Sequence, residues 1–425
     1  SELSLQRGGV LTTTGSELSV ETGGVFSSSG SELSLQRGDH LRTSGSELGL
    51  TQSGIPASGA YDAVDVDMFG IVTGGSTVAD AGKYVCNGRL TLETGVPIST
   101  TDQTDKTSVY FTPYMGDQIA LYDGTSSWAT YEFTEKTFDV TGVTLPTEAF
   151  TNDPAAGTDI SLSVASTTGF TVGQPITVTS DAGSDTTYIS ALTLDTSITA
   201  HTLAVNHTQT NPLITGGIPV DIFIYNNTGT LTLSGLEWTN CTTRATALTT
   251  QNGVRVKTGA TDYRYLGTIF IDSAQKCQDT LLTRYCWNYY NQTPRKLKVI
   301  ETTNTWNYTT ETWREANGST TNRVQFVIGI SSLVRLKVLA ISYNASATGR
   351  APGIALDATD TTDSDLIAYN SPTGNMTGNS DYLNYLLGYH YLQWTEFSIA
   401  TGTTTWIGDG GQIYQQSGMI GETYG

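Results

Sequence analysis

The sequence predicts an all-β protein on three observations. It opens on a fifteen-residue repeat of alternating apolar residues, it is poor in charge and rich in strand formers, and short alternating runs broken by Gly, Asn and Ser recur along its length. The repeat reads SELSLQRGGVLTTTG over Ser1–Gly15, SELSVETGGVFSSSG over Ser16–Gly30 and SELSLQRGDHLRTSG over Ser31–Gly45, and a fading copy begins SELGL at Ser46. Each copy carries an apolar pair two residues apart (Leu3/Leu5, Leu18/Val20, Leu33/Leu35), then a glycine, then Leu11, Phe26 or Leu41. Alternation with period two is a strand signal, and the glycine marks the turn after it. About four apolar side chains per copy are too few for a core of their own, so the copies must stack on neighbours or on other chains.

Composition points the same way. Only 14% of the 425 residues are charged and tyrosine reaches 22, a mixture that suits pleated strands. Helical periodicity is scarce, with Asp381–Glu396 and Gln278–Tyr290 the two stretches that fit a helix. No apolar run is long enough to span a membrane, so no membrane insertion is expected. The formal charge of −19 argues against nucleic acid, whose binding needs clustered Lys and Arg. Arg295-Lys296-Leu297-Lys298 is a local exception, and alternation puts Arg295 and Leu297 on one face of a strand with Lys296 and Lys298 on the other.

The four cysteines, Cys86, Cys241, Cys277 and Cys286, form no C-x-x-C, which excludes a zinc-knuckle pattern. Buried thiols are the favoured reading, with a loop-closing Cys277–Cys286 disulfide as the alternative. The four histidines are scattered, and neither a metal nor a cofactor is expected.

The stretch Leu3-Ser4-Leu5-Gln6-Arg7-Gly8-Gly9-Val10-Leu11-Thr12-Thr13-Thr14 resembles the triple β-spiral shaft of viral fibres such as those of adenovirus and reovirus. His40 departs from it where Val10 and Val25 stand, and Pro56 departs where Leu11 stands, so the match fades near residue 56. The resemblance implies a parallel homotrimer whose copies share an axial core of Leu3, Leu5, Leu11, Leu18, Val20, Phe26, Leu33, Leu35 and Leu41. Further along, the chain resembles tailed-phage structural proteins of tail-fibre type. The residues that carry this are Arg89–Asp102, Val109-Tyr110-Phe111-Thr112-Pro113-Tyr114, Gln118–Gly124, Glu237-Trp238-Thr239-Asn240 with Thr243-Arg244-Ala245, Tyr265–Ile269, Trp287–Asn291 and Gly388–Trp394. That resemblance implies a place in the virion, other virion structural proteins at the N-terminal end, and a host cell-surface glycan or receptor as partner. It carries no catalytic residues. The family pattern runs from Thr137–Leu145 almost directly to Val220–Tyr225, so Thr151–Ile218 reads as an insertion with strand signals of its own.

The expected organisation is therefore a shaft over 1–58 and an adaptor over 59–106 with one further shaft-like stretch at Leu90–Thr101, which reads preferably as the entry strand of the next domain. A discontinuous β-sandwich body follows over 107–150 and 219–295, with a small inserted β-domain at 151–218 and a sandwich or jelly-roll tip over 296–425.

Candidate chemistry is thin. Asp357, Asp360, Asp363 and Asp365 are close enough to suggest a calcium loop, but they lack the EF-hand ligand pattern, and a solvated loop is favoured. No motif nominates a glycosidase carboxylate pair, a nucleophile elbow or a Ser/His/Asp set, so no enzyme is expected. The aromatic cluster Trp306, Tyr308 and Trp313 is the candidate glycan or receptor contact, because sugar rings stack on aromatic faces. Trp306 and Tyr308 alternate within a Thr/Asn-rich stretch. Together these features imply a trimeric tail fibre; a capsid-decorating head fibre, a depolymerase tailspike and a bacterial adhesin are the alternatives.

Overall fold

The computed structural model describes residues 81–346, 349–368 and 374–425, with the backbone of six short strands in residues 1–80. Among the described residues strand is the dominant conformation and no helix reaches seven residues, so the protein is all-β. The chain divides into two compact units, Ser1–Ala81 and Gly82–Gly425.

In the first unit, Ser4–Leu5 and Ser19–Val20 pair in parallel with Leu5 opposite Val20. Equivalent positions of successive repeats thus face one another. Phe26–Ser29 and Glu32–Leu35 form an antiparallel pair with Phe26 opposite Leu35, and Ala63–Val66 pairs with Val72–Ser76. Leu3, Leu11, Leu18 and Leu41 lie outside the described residues, as do the side chains of Leu5, Val20, Phe26, Leu33 and Leu35.

In the second unit, Gly88–Thr91 is hydrogen-bonded to Ser108–Pro113, which makes it the first strand of the body. The stretch read as an insertion, together with Thr147–Glu148 just before it, forms a six-stranded antiparallel sheet in the order Thr147–Glu148, Leu213–Gly216, Pro175–Ser180, Gly183–Thr193, Ser197–Leu203, Gly157–Ser163. It has its own core of Phe150, Leu162, Ile176, Val178, Ile198 and Ile214. The remainder shares one core, so no seam falls at 295/296. The reason is topological: Gln103–Lys106, Cys277–Asp279 and Thr283–Arg284 join the same twelve-stranded sheet as the C-terminal strands.

That sheet is organised by two long strands, Arg323–Asn344 and Gly374–Ser398. They pair antiparallel from Arg323 opposite Gln393 to Asn344 opposite Gly374. The expected helix at Asp381–Glu396 is therefore strand, and Gln278–Tyr290 is divided among Cys277–Asp279, Thr283–Arg284 and Cys286–Asn288. Gly388 sits where the register shifts, at φ 102°. A Cβ there would lie 2.3 Å from the Cys241 carbonyl, so only glycine lets the Tyr389 amide donate to that carbonyl at 2.8 Å. In Pro294–Ile300, Arg295 and Leu297 are buried while Lys296 is exposed, the alternation expected of that stretch. All four cysteines are buried free thiols.

One buried ion pair of the body joins Arg244 to Asp221. Arg244 Nε donates to Asp221 Oδ2 at 2.6 Å, and Thr268 Oγ1 donates to Asp221 Oδ1 at 2.7 Å. The guanidinium lies 4.3 Å from the Trp238 ring centroid. Removing one partner leaves the other charge without water or counter-ion, so Arg244→Met is expected to destabilise the protein by about 3–5 kcal/mol. Urea unfolding measures this, and a loss below about 1 kcal/mol would contradict the pair's role.

Candidate functional site

A polar cleft of about 1030 Å³ opens in the second unit. One wall is the inserted sheet, which supplies Tyr188 from Gly183–Thr193 and His201 from Ser197–Leu203. The other wall carries Gln278 and Thr280, Glu315 at the end of Trp313–Glu315, and Arg323 at the start of its long strand. Thr186 is exposed and Tyr188 buried on the same strand face, so the rim is hydroxylated and the floor aromatic.

The floor is a layered stack. The His201 and Tyr188 rings lie 4.5 Å apart at 18°, and the Arg323 guanidinium sits 4.2 Å from the Tyr188 ring centroid and 4.6 Å from that of Tyr391. Cation–π contacts of this kind hold a guanidinium in place. Arg323 Nε donates to the Thr320 carbonyl. His201 Nε2 lies 3.0 Å from Glu315 Oε1, and its Nδ1 lies 3.5 Å from Asp159. Burial alone would raise the Glu315 carboxyl, but the His201 hydrogen bond and the nearby positive charge outweigh it and hold the group below its ordinary value. Burial also pushes the Tyr188 phenol well up, so the floor carries no phenolate charge at neutral pH.

Around this floor stand the hydroxyls of Thr186, Thr187, Thr202, Thr280 and Thr321 and the carboxylates of Asp102 and Asp185. Such a surface offers many hydrogen-bond donors and acceptors on a rigid base, which suits a polyhydroxylated ligand. The carboxyl that burial pushes up to about 7, against Arg314 and the Trp306 indole, is Glu396, and it does not line the cleft.

The aromatic residues expected as contacts sit elsewhere. Trp306 is 9% exposed and Tyr308 8%, which corrects the expectation that they stand open at the surface. The strand Thr305–Tyr308 does alternate, but its aromatic face is the inward one, leaving Thr305 and Asn307 outside. Trp306 Nε1 donates to Glu396 Oε2 at 2.7 Å, and its ring meets Trp394 edge-on. The Tyr308 hydroxyl bonds Thr312, and Arg314 covers its ring at 3.9 Å. Trp313 is half-buried against Phe397.

Three of the four aspartates at 357–365 are engaged by neighbouring groups: Asp363 accepts from the Leu356 amide and Asp365 from that of Leu383. Asp357 accepts from the Tyr391 amide at 2.9 Å and meets His390 Nδ1 at 2.7 Å. It also packs on Gly173 of the inserted segment.

Sequence reasoning did not single out Tyr188, His201, Glu315 or Arg323. A lone aromatic and a lone histidine in Thr-rich strands were the available signal, and neither has a spacing that links it to Glu315 or Arg323. No protein-family model matches the chain, and no curated protein matches it.

His390 gives a pH test. Burial lowers its basicity, but the hydrogen bond and charge of Asp357, with the Leu387 carbonyl, outweigh this and raise it above its ordinary 6.5. A raised folded value means the contribution is whole below the unfolded value and is lost as pH rises through the folded one. His390→Gln is therefore expected to lower the melting temperature more near about pH 5.5 than near about pH 9. An equal loss at both would contradict the charged pair.

Proposed function

We propose that this chain is the subunit of a homotrimeric virion fibre of a tailed phage, attached at its N-terminal end to other virion structural proteins. In this reading the repeats form a triple β-spiral shaft, and the remainder forms a β-sandwich body and a jelly-roll-like tip that attach to a host-surface glycan. The Tyr188–Arg323 cleft is the saccharide site. The observation that carries the reading is the repeat itself, supported by the parallel pairing that sets Leu5 opposite Val20 one repeat further on. Copies of a unit with so few apolar residues gain a core by sharing it between chains.

The attachment role follows from avidity. A trimer presents three copies of one weak site together, so the second and third contacts form at high effective concentration. A hydroxyl- and carboxylate-lined cleft binds a neutral sugar through many individually modest hydrogen bonds, which is the regime in which avidity matters most.

Light scattering of the full chain is expected to give about three times its 45.4 kDa; a mass of one chain would overturn the fibre reading. Binding to an array of immobilised oligosaccharides tests the site. Thr186→Arg, which places a long side chain on the exposed rim, should weaken any saccharide signal by on the order of tenfold or more with the mass unchanged. An array signal that survives this substitution, or no signal at all for the parent chain, would overturn the cleft assignment.

A further inference from the structure

The sheet built from Pro294–Ile300, Gly418–Tyr424, Arg323–Asn344 and Gly374–Ser398 has two faces, and the register says which residues share each. One parity fills the core with Leu297, Val299, Met419, Leu336, Val338 and Ala340. The opposite parity faces outward, and an antiparallel face that meets water reads as polar. This one does not. Ile300, Ile420, Leu339 and Tyr343 are 40%, 48%, 42% and 43% exposed, with Ile341 and Ile407 half-buried among them.

These side chains form one continuous band. Ile300 and Leu339 flank Gly418 from the two neighbouring strands, so no side chain separates them. Ile341 stands opposite Ile407, and Tyr343 opposite Thr405. Ile420 follows two residues after Gly418, flanked by Lys298 and Lys337. At that end the band gives way to these lysines and then to the row Lys296–Glu422–Arg335, and at the other end to Thr405 and Asn375. An apolar centre with a polar rim is the anatomy of a protein interface, and among the described residues these four side chains keep their exposure.

Two observations identify the occupant. The charged end of the face carries both signs, with Lys296, Lys298, Arg335 and Lys337 set among Glu422 and Asp381, and Lys337 lies 3.9 Å from Asp381. With more positive than negative groups, this rim offsets locally the −19 by which copies of the chain otherwise repel one another. Independently, the N-terminal repeats lack the apolar residues to close a core within one chain, which requires copies to run side by side. We infer that this outer face packs against the same face of neighbouring copies of the chain. The inference rests on the oligomer proposed above and names the C-terminal surface that holds it together.

Thiol labelling of the full chain tests it, because Cys86, Cys241, Cys277 and Cys286 are all buried and an introduced cysteine is the reactive one. Ile420→Cys and, separately, Tyr343→Cys are compared with Leu194→Cys, a site 81% exposed in the inserted segment. Each is treated with a maleimide, and its mass is measured by light scattering. An oligomer in which both face thiols react on the order of tenfold or more slowly than the Leu194→Cys thiol supports the inference. An oligomer in which they react equally fast overturns it and leaves the oligomer standing. A monomer with fast-reacting face thiols overturns both readings. A monomer with protected thiols overturns the inference as well, because the cover then comes from the chain itself.

Discussion

The antiparallel pairing of Arg323–Asn344 with Gly374–Ser398 is the constraint on which the second unit depends. Because side chains alternate across a strand, this one register decides which residues enter the core and which face out. A slip of one residue would bring Leu339 and Tyr343 inward and expel Val338, Ala340 and Leu336. The same pairing sets the start of the first strand, and therefore Arg323, at the edge of the cleft. It also carries Tyr391 and His390 to the side that meets the inserted segment. Gly388 is the local device that lets the pairing shift register without breaking, since it alone accommodates the Cys241 carbonyl.

Around this frame, buried guanidinium groups join segments far apart in sequence. Arg264, 1% exposed, donates to the carbonyls of Lys83, Val85 and Ala120, tying the first residues of the second unit to the body. Arg89 reaches the carbonyls of Asn291 and Gly425. Arg350 donates to Ser342 Oγ at 2.9 Å. A planar, always-charged fork with five donors satisfies several buried carbonyls at once, which lysine cannot do. Charged residues make up only 14% of the chain, and several of its arginines cross-link segments in this way.

Much of the architecture was legible in the sequence. Alternation identified Arg295–Lys298 as strand, and the run Thr151–Ile218 stood apart by its own strand signals. Misreading came where both strand faces are apolar. In Asp381–Glu396 the outward Leu383, Tyr385 and Leu387 stand among inward Tyr382, Leu386 and Tyr389, and the density of apolar residues imitates helical spacing. Trp306 and Tyr308 were misplaced for a related reason: alternation tells that one face is buried, not which one. The cleft was the least legible feature, because Tyr188 and His201 meet Glu315 and Arg323 across more than a hundred residues of intervening chain. No local spacing records that contact; only the placement of the insertion against the long strands does.

The most direct test of this frame is a pair of engineered disulfides in the full chain. Lys337 and Asp381 are direct cross-strand partners, within the Cα separation of about 4.4–6.8 Å that a disulfide requires, whereas Lys337 and Leu383 are offset by two residues, at about 7–8 Å. Oxidation of Lys337→Cys/Asp381→Cys is expected to give a rapid intrachain disulfide, seen by peptide mass after digestion, while Lys337→Cys/Leu383→Cys remains reduced. The reverse pattern, or equal bridging in both, would contradict the register and with it the division of this sheet into a core face and an outer face.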